Sequence, residues 1–194
     1  MAMMVYGVKN PKPETHSSVI GFLRNIGVND TILYNCADSA SFVILFNSNP
    51  GVPDIEIYNK EGYLVPYKDP DNSNPNCNAS AGSFISNLKD KQQRPYTNQS
   101  IEERLKLLVN SSTLTGITLN DIPPSDYYIL IYFTKWTGKK VNRDHVPYWI
   151  KEIETTNNPS CRISYLLVDL DFMEYWNMNT QGIKFENNKR KKAE

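Results

Sequence analysis

The sequence predicts an α/β protein with a mixed central sheet and flanking helices, and three observations carry that expectation. Strand-like and helix-like hydrophobic patterns alternate along much of the chain. Tyr127-Tyr-Ile-Leu-Ile-Tyr-Phe133 is apolar almost without a break, as a strand buried on both faces at the centre of a parallel sheet would be. Asp54-Ile-Glu-Ile-Tyr58 alternates polar and apolar residues, and Asn59-Lys-Glu-Gly62 then turns the chain into Tyr63-Leu-Val-Pro-Tyr67, the pattern of a β-hairpin.

Each element follows from local chemistry. Val5-Tyr-Gly-Val8 reads as a short strand and Lys9–Glu14 as a proline-punctuated loop. Thr15 or Ser17 caps a helix that turns Val19, Ile20, Leu23 and Ile26 inward and stops at Gly27. Thr31–Asn35 is a second short strand. Asp38 or Ser39 caps the next helix, with Phe42, Leu45 and Phe46 inward and a break at Asn49-Pro-Gly. In the hairpin, Pro66 puts the second strand at a sheet edge or near its end. The loop Asp69–Asn78 precedes a third helix carrying Phe84, Ile85 and Leu88. Residues 90–99 look like a linker, and Ser100-Ile-Glu-Glu103 is a capping box opening a helix with Ile101, Leu105 and Leu108 inward. A Ser/Thr/Asn stretch and Pro123-Pro124 lead to the strand 127–133. After the loop Thr134–Lys140, Asp144 caps a helix with Val146, Trp149, Ile150 and Ile153 inward. Ile163–Val168 is a buried strand, Glu174-Tyr-Trp a short helix and Lys189–Lys192 a solvated tail.

The chain has 194 residues and a formal net charge of zero, from 21 basic and 21 acidic side chains. That balance gives no support to a nucleic-acid partner. No apolar run reaches the roughly 18 residues of a transmembrane segment. The three cysteines, Cys36, Cys77 and Cys161, lie too far apart for a disulfide-dense scaffold or a CxxC zinc site. With 22 asparagines, long connections are expected, and the sequons at Asn29, Asn78, Asn98 and Asn110 carry no weight. Nothing at the start resembles a secretory signal, so the default location is cytoplasmic. A mature or truncated exported form also fits a chain that opens within a strand.

The order strand, helix, strand, helix, hairpin, helix over residues 4–89 resembles a minimal thioredoxin-like domain. Val52-Pro53 before the hairpin is similar to the aliphatic–proline step that is cis in that family and faces its redox loop; a trans proline opening a strand is the plain alternative. Tyr132-Phe-Thr-Lys-Trp-Thr-Gly-Lys-Lys140 resembles the strand end and Trp-Cys-Gly-Pro-Cys loop of thioredoxins, with Thr137 and Lys140 at the cysteine positions. Pro147 lies in the first turn of the following helix, about two residues late for the family proline. The resemblance implies a thioredoxin-like domain over 1–90, a linker and helix over 91–126, a second, incomplete unit over 127–188 whose completing hairpin is missing unless Gly182–Glu186 forms part of it, and a basic tail over 189–194.

Dithiol exchange needs a low-pKa thiolate at a helix start and a second thiol to resolve the mixed disulfide. Neither Val8–Pro13 nor Thr137–Lys140 contains cysteine. The resemblance therefore implies a redox-inactive, non-enzymatic interaction protein without catalytic residues, metal or cofactor. Its polypeptide partner would meet Val52, Pro53, Trp136, Thr137, Gly138 and Lys140. A competing expectation is a thiol-dependent oxidoreductase or peroxidase using Cys36, ahead of a helix whose dipole would lower its pKa, or Cys77, also just before a helix. A third is the interaction part of a larger envelope-associated protein. His16 and His145 sit near helix starts with no nucleophile beside them in any motif. Asp169, Asp171 and Glu174 suggest an acidic metal site, against which solvated loop carboxylates are the expectation. Thr137–Lys140 could cradle an anion but lacks the P-loop spacing.

Overall fold

The structure, a computed structural model, describes residues 9–30, 32–48, 51–67, 79–90 and 95–177. The expected strands Val5–Val8 and Gly182–Glu186, the loop Asp69–Asn78 with Cys77, and the tail Lys189–Lys192 lie outside the described residues. The protein is α/β, with helices on both faces of a mixed five-stranded sheet, an architecture compatible with a thioredoxin-like fold.

The strands are β1 (Tyr34–Cys36), β2 (Asp54–Asn59), β3 (Leu108–Asn110), β4 (Tyr127–Phe133) and β5 (Ile163–Asp169), in the spatial order β2-β4-β5-β1-β3. β4 runs parallel to β5 from Tyr127↔Ile163 to Phe133↔Asp169, and β5 runs parallel to β1. The edge pairs β2/β4 and β1/β3 are antiparallel. Strands from residues before 126 and after it thus share one sheet. β4 occupies the centre expected of it, and all its residues after Tyr127 are buried.

The helices are α1 (His16–Asn25), α2 (Ser39–Ser48), α3 (Ala79–Ser86), α4 (Ile101–Leu105) and α5 (Lys139–Thr156). Alternation along the strands divides the core. Ile55, Ile57, Ile129, Ile131, Phe133 and Leu167 pack with α1, α3 and α5. Tyr58, Tyr128, Leu130, Tyr132, Leu166 and Val168 pack with α2, α4 and the short 3-10 turn Glu174–Trp176.

Local signals account for most element ends. The Thr15 hydroxyl accepts the Ser18 N–H at 3.2 Å, and α1 ends where Gly27 takes φ +91°. Asp38 caps α2 through the Ser41 N–H at 2.7 Å. The hairpin turn forms, with Gly62 at φ +83° and the Val65 N–H donating to the Ile57 carbonyl at 2.7 Å.

Four expectations change. Thr97–Gln99, read as linker, lie along the hairpin, with the Leu64 N–H donating to the Gln99 carbonyl at 2.9 Å and Thr97 N–H to Leu64 at 2.8 Å, while Ser100 caps α4 as expected, its hydroxyl accepting the Glu102 N–H at 3.1 Å. α4 lasts only five residues, so Leu108 belongs to β3. β3 itself is too short for alternation to announce it. α5 begins at Lys139 rather than after Asp144, because Gly138 at φ +103° turns the chain and the buried Asn142 amide donates back to the Gly138 carbonyl at 2.8 Å. Pro147 is consequently inside the helix, not in its first turn.

The polar positions of β2 are not solvated, as a half-buried strand would have them. Glu56 is buried and accepts from Tyr58 Oη at 2.6 Å, Tyr132 Oη at 2.8 Å and Arg104 Nη2 at 3.0 Å. Asp54 accepts from Tyr67 Oη at 2.5 Å. Removing one partner of a buried pair leaves the other charge uncompensated. Arg104→Ala should therefore lower the unfolding free energy by about 3–5 kcal/mol in urea titrations, and the double variant Glu56→Gln/Arg104→Met should recover most of that loss.

Candidate functional site

The carboxyl ends of parallel strands are where open α/β sheets hold ligands, and here β4, β5 and β1 end together. β4 runs out at Phe133 into Thr134–Gly138, which leads into α5. Because Asp54 pairs with Tyr132, the residues just before β2, Val52 and Pro53, lie beside the residues just after β4. The Val52–Pro53 bond is cis. The expected partner-binding residues are therefore gathered at one end of one sheet, although the sequence assigns them to separate units.

Their exposure is uneven. Val52, Pro53 and Gly138 are buried, Trp136 and Thr137 half-buried, and Lys140 exposed. Lys140 is engaged by Asp144 at 2.9 Å, one helical turn on. The Trp136 ring lies 5.8 Å from that of Phe46 on α2. Phe46 continues into a set of close rings formed by Phe42, Phe172 and Trp176. Thr137 stands at the attacking-cysteine position of the resemblance, but its hydroxyl is spent within the loop: it donates to the Thr134 carbonyl at 2.9 Å. The Asn142 amide donates to that same carbonyl at 2.8 Å and holds the turn closed.

Behind this loop lies a polar cluster that the sequence reading assigns to solvent. Asp169 and Asp171 are buried, at 0% and 2% exposure, rather than solvated loop carboxylates. The Asn35 amide donates to Asp169 Oδ2 at 2.8 Å, the Asp171 N–H to Asp169 Oδ1 at 3.1 Å, and the Lys135 N–H to Asp171 Oδ2 at 2.7 Å. Burial, the neighbouring Asp171 charge and a hydrogen bond shared between the two carboxyls push Asp169 well above the usual carboxylate range. Burial also raises Asp171. In both groups burial favours the neutral carboxyl over the carboxylate.

Glu14, ahead of α1, faces the same loop. Burial alone would raise its pKa, but hydrogen bonds from Lys135 and Ser18, with the Lys135 and Lys12 charges, hold it below the ordinary range. Glu14, Asn35 and Lys135 are absent from the sequence-based site. The register of β1 against β5 sets Asn35 opposite Asp169 and so brings it to the cluster, and no local sequence pattern carries that pairing.

The remaining candidates fall elsewhere. Cys36 closes β1 at 0% exposure, and burial with the Asp169 and Asp38 charges pushes its thiol up, opposite to the lowering expected from the following helix. Cys161 is also buried. His145 stacks on Trp149 with ring centres 5.4 Å apart, and His16 Nδ1 is 2.8 Å from Ser111 Oγ. Glu174 is exposed, apart from the buried pair. Among the described residues no group of three or more His, Cys, Asp or Glu side chains could hold a metal ion, and no helix is long and apolar enough to cross a membrane. No family model, curated protein or solved structure matches the chain.

A carboxyl whose folded pKa is raised contributes stability that is complete below its unfolded pKa, about 4, and is lost as pH rises through the folded value. The contribution of this pair to stability should therefore fall as pH rises above about 4. Asp169→Asn, which keeps a hydrogen-bond donor beside Asp171, should flatten that fall and be the more stable form at neutral pH. Urea midpoints measured across the range would check this; parallel profiles for the two proteins would refute it.

Proposed function

We propose that the chain is a non-enzymatic thioredoxin-like protein that binds an extended polypeptide at the Trp136 end of its sheet, without disulfide exchange. The observation that carries this reading is the meeting of Val52–Pro53 with Thr134–Gly138 at the carboxyl ends of the parallel strands. That is where a thioredoxin-like protein would present a dithiol, and here a threonine hydroxyl, a glycine and a lysine stand there instead. A hydroxyl bound to a backbone carbonyl cannot form the mixed disulfide that exchange requires. The half-buried Trp136 ring suits contact with a peptide, since aromatic side chains dominate binding energy where they are partly desolvated. The thiol-enzyme alternative loses support at Cys36, whose buried, raised-pKa thiol is a poor nucleophile. A polypeptide partner rather than nucleic acid accords with the zero net charge.

Two assays test this together. In an insulin-reduction assay with dithiothreitol, the protein should add nothing to the rate of dithiothreitol alone; turnover abolished by Cys77→Ser or Cys36→Ser would overturn the reading. When the ¹⁵N-labelled protein is titrated with proline-containing peptides at high concentration, shifts should concentrate at the Trp136 indole and the Thr137 and Gly138 amides. Trp136→Ala should weaken that binding about tenfold, roughly 1–2 kcal/mol.

A further inference from the structure

Between Lys9 and Glu14 the chain crosses the ends of β4 and β5 as a strap, and the ties it makes are those an extended peptide would make. The Lys9 N–H donates to the Trp136 carbonyl at 2.8 Å. The Glu14 N–H donates to the Phe172 carbonyl at 2.7 Å, and the Glu174 N–H returns to the Glu14 carbonyl at 3.1 Å, a short parallel pairing of Glu14 with Met173. Pro11, between these anchors, is buried, while Lys9, Asn10 and Lys12 are exposed. The Glu14 carboxylate is taken by the Lys135 ammonium and by Ser18 Oγ at 2.6 Å.

We infer that this strap is a built-in occupant of the partner surface, latched by Glu14 on Lys135, and that the partner it stands in for is an extended peptide with one carboxylate side chain and a proline three residues before it. The inference rests on the interaction reading above. The strap satisfies the backbone groups of Trp136, Phe172 and Glu174 that strand-like addition of a second chain would use. Its acidic anchor meets Lys135, a cation in the very loop where the reading puts the partner. The proline restricts the unbound segment to extended conformations, so little freedom is lost on docking. Being continuous with α1, the strap competes at the high effective concentration of a short tether, and a free peptide binds only to the fraction of molecules in which it is released.

The test uses the full chain, its Lys9→Pro variant, which lacks the N–H that Trp136 accepts, and its Glu14→Gln variant, which removes the latch charge. The probe is a fluorescein-labelled synthetic peptide, Lys-Asn-Pro-Lys-Pro-Glu-Thr, followed by fluorescence anisotropy. Both variants should bind it at least about tenfold more tightly than the native chain, through a larger released fraction. The same peptide with Gln for Glu should bind the Lys9→Pro variant more weakly. Lys9→Pro alone carries the test if loss of the buried carboxylate prevents folding of the other. Measurable binding that is equal in the native chain and the variants overturns the latch and leaves the interaction reading standing. No binding to any of the three overturns both.

Discussion

The pairing of β2 with β4 is the contact on which the rest of the structure depends. Six residue pairs, from Asp54↔Tyr132 to Asn59↔Tyr127, join a strand from the first part of the chain to the central strand of the second. In a pleated sheet a slip of one residue would exchange the two faces. It would carry Ile55 and Ile57 out of the core shared with α1, α3 and α5, and put Glu56 away from Tyr58, Tyr132 and Arg104. The same register puts the residues before β2 next to those after β4, so the site is a consequence of core packing. Hydrophobic alternation on one strand and a buried charge network on the other face specify the same alignment.

A second constraint acts at the far end of β4. Polar groups that meet where several strands end must satisfy one another when no water reaches them. The Asn35 amide N–H, Asp169, Asp171 and the Lys135 backbone N–H are paired in this way, and burial pushes both carboxyls above the ordinary carboxylate range. The cluster ties β1, β5 and the Trp136 loop into one unit and draws Glu14 towards it through Lys135. The loop that would face a partner is thereby held by hydrogen bonds to buried groups, a rigid platform of the kind that limits the entropy lost on binding.

The strand and helix signals were legible where the pattern was long or the cap chemistry explicit. β4 appears over Tyr127–Phe133 as its apolar run suggests, and Thr15, Asp38 and Gly27 act as the caps and stop they look like. The burial of Glu56 and Asp54 was not legible because alternation reports which side of a strand a residue occupies, not whether that side is covered; α4 and the ring of Tyr67 cover it here. Asp169 and Asp171 were misread for the related reason that carboxylates after a strand are usually solvated. Of the candidate site, the residue types at Val52–Pro53 and Trp136–Lys140 could be read from the chain. Their meeting could not, since the order of strands in a sheet is set by long-range packing that no local window contains.

The account stands or falls on β4 lying between β2 and β5. Nuclear Overhauser contacts across the strands of the labelled full chain test this most directly. The account predicts backbone contacts between the pairs Glu56–Leu130 and Tyr58–Tyr128 on one side of β4, and between Ile129–Tyr165 and Ile131–Leu167 on the other. Contacts of Glu56 and Tyr58 to residues 5–8 in place of Leu130 and Tyr128 would contradict it. They would separate the chain into two sheets and dissolve the site at which the Trp136 loop and Val52–Pro53 meet.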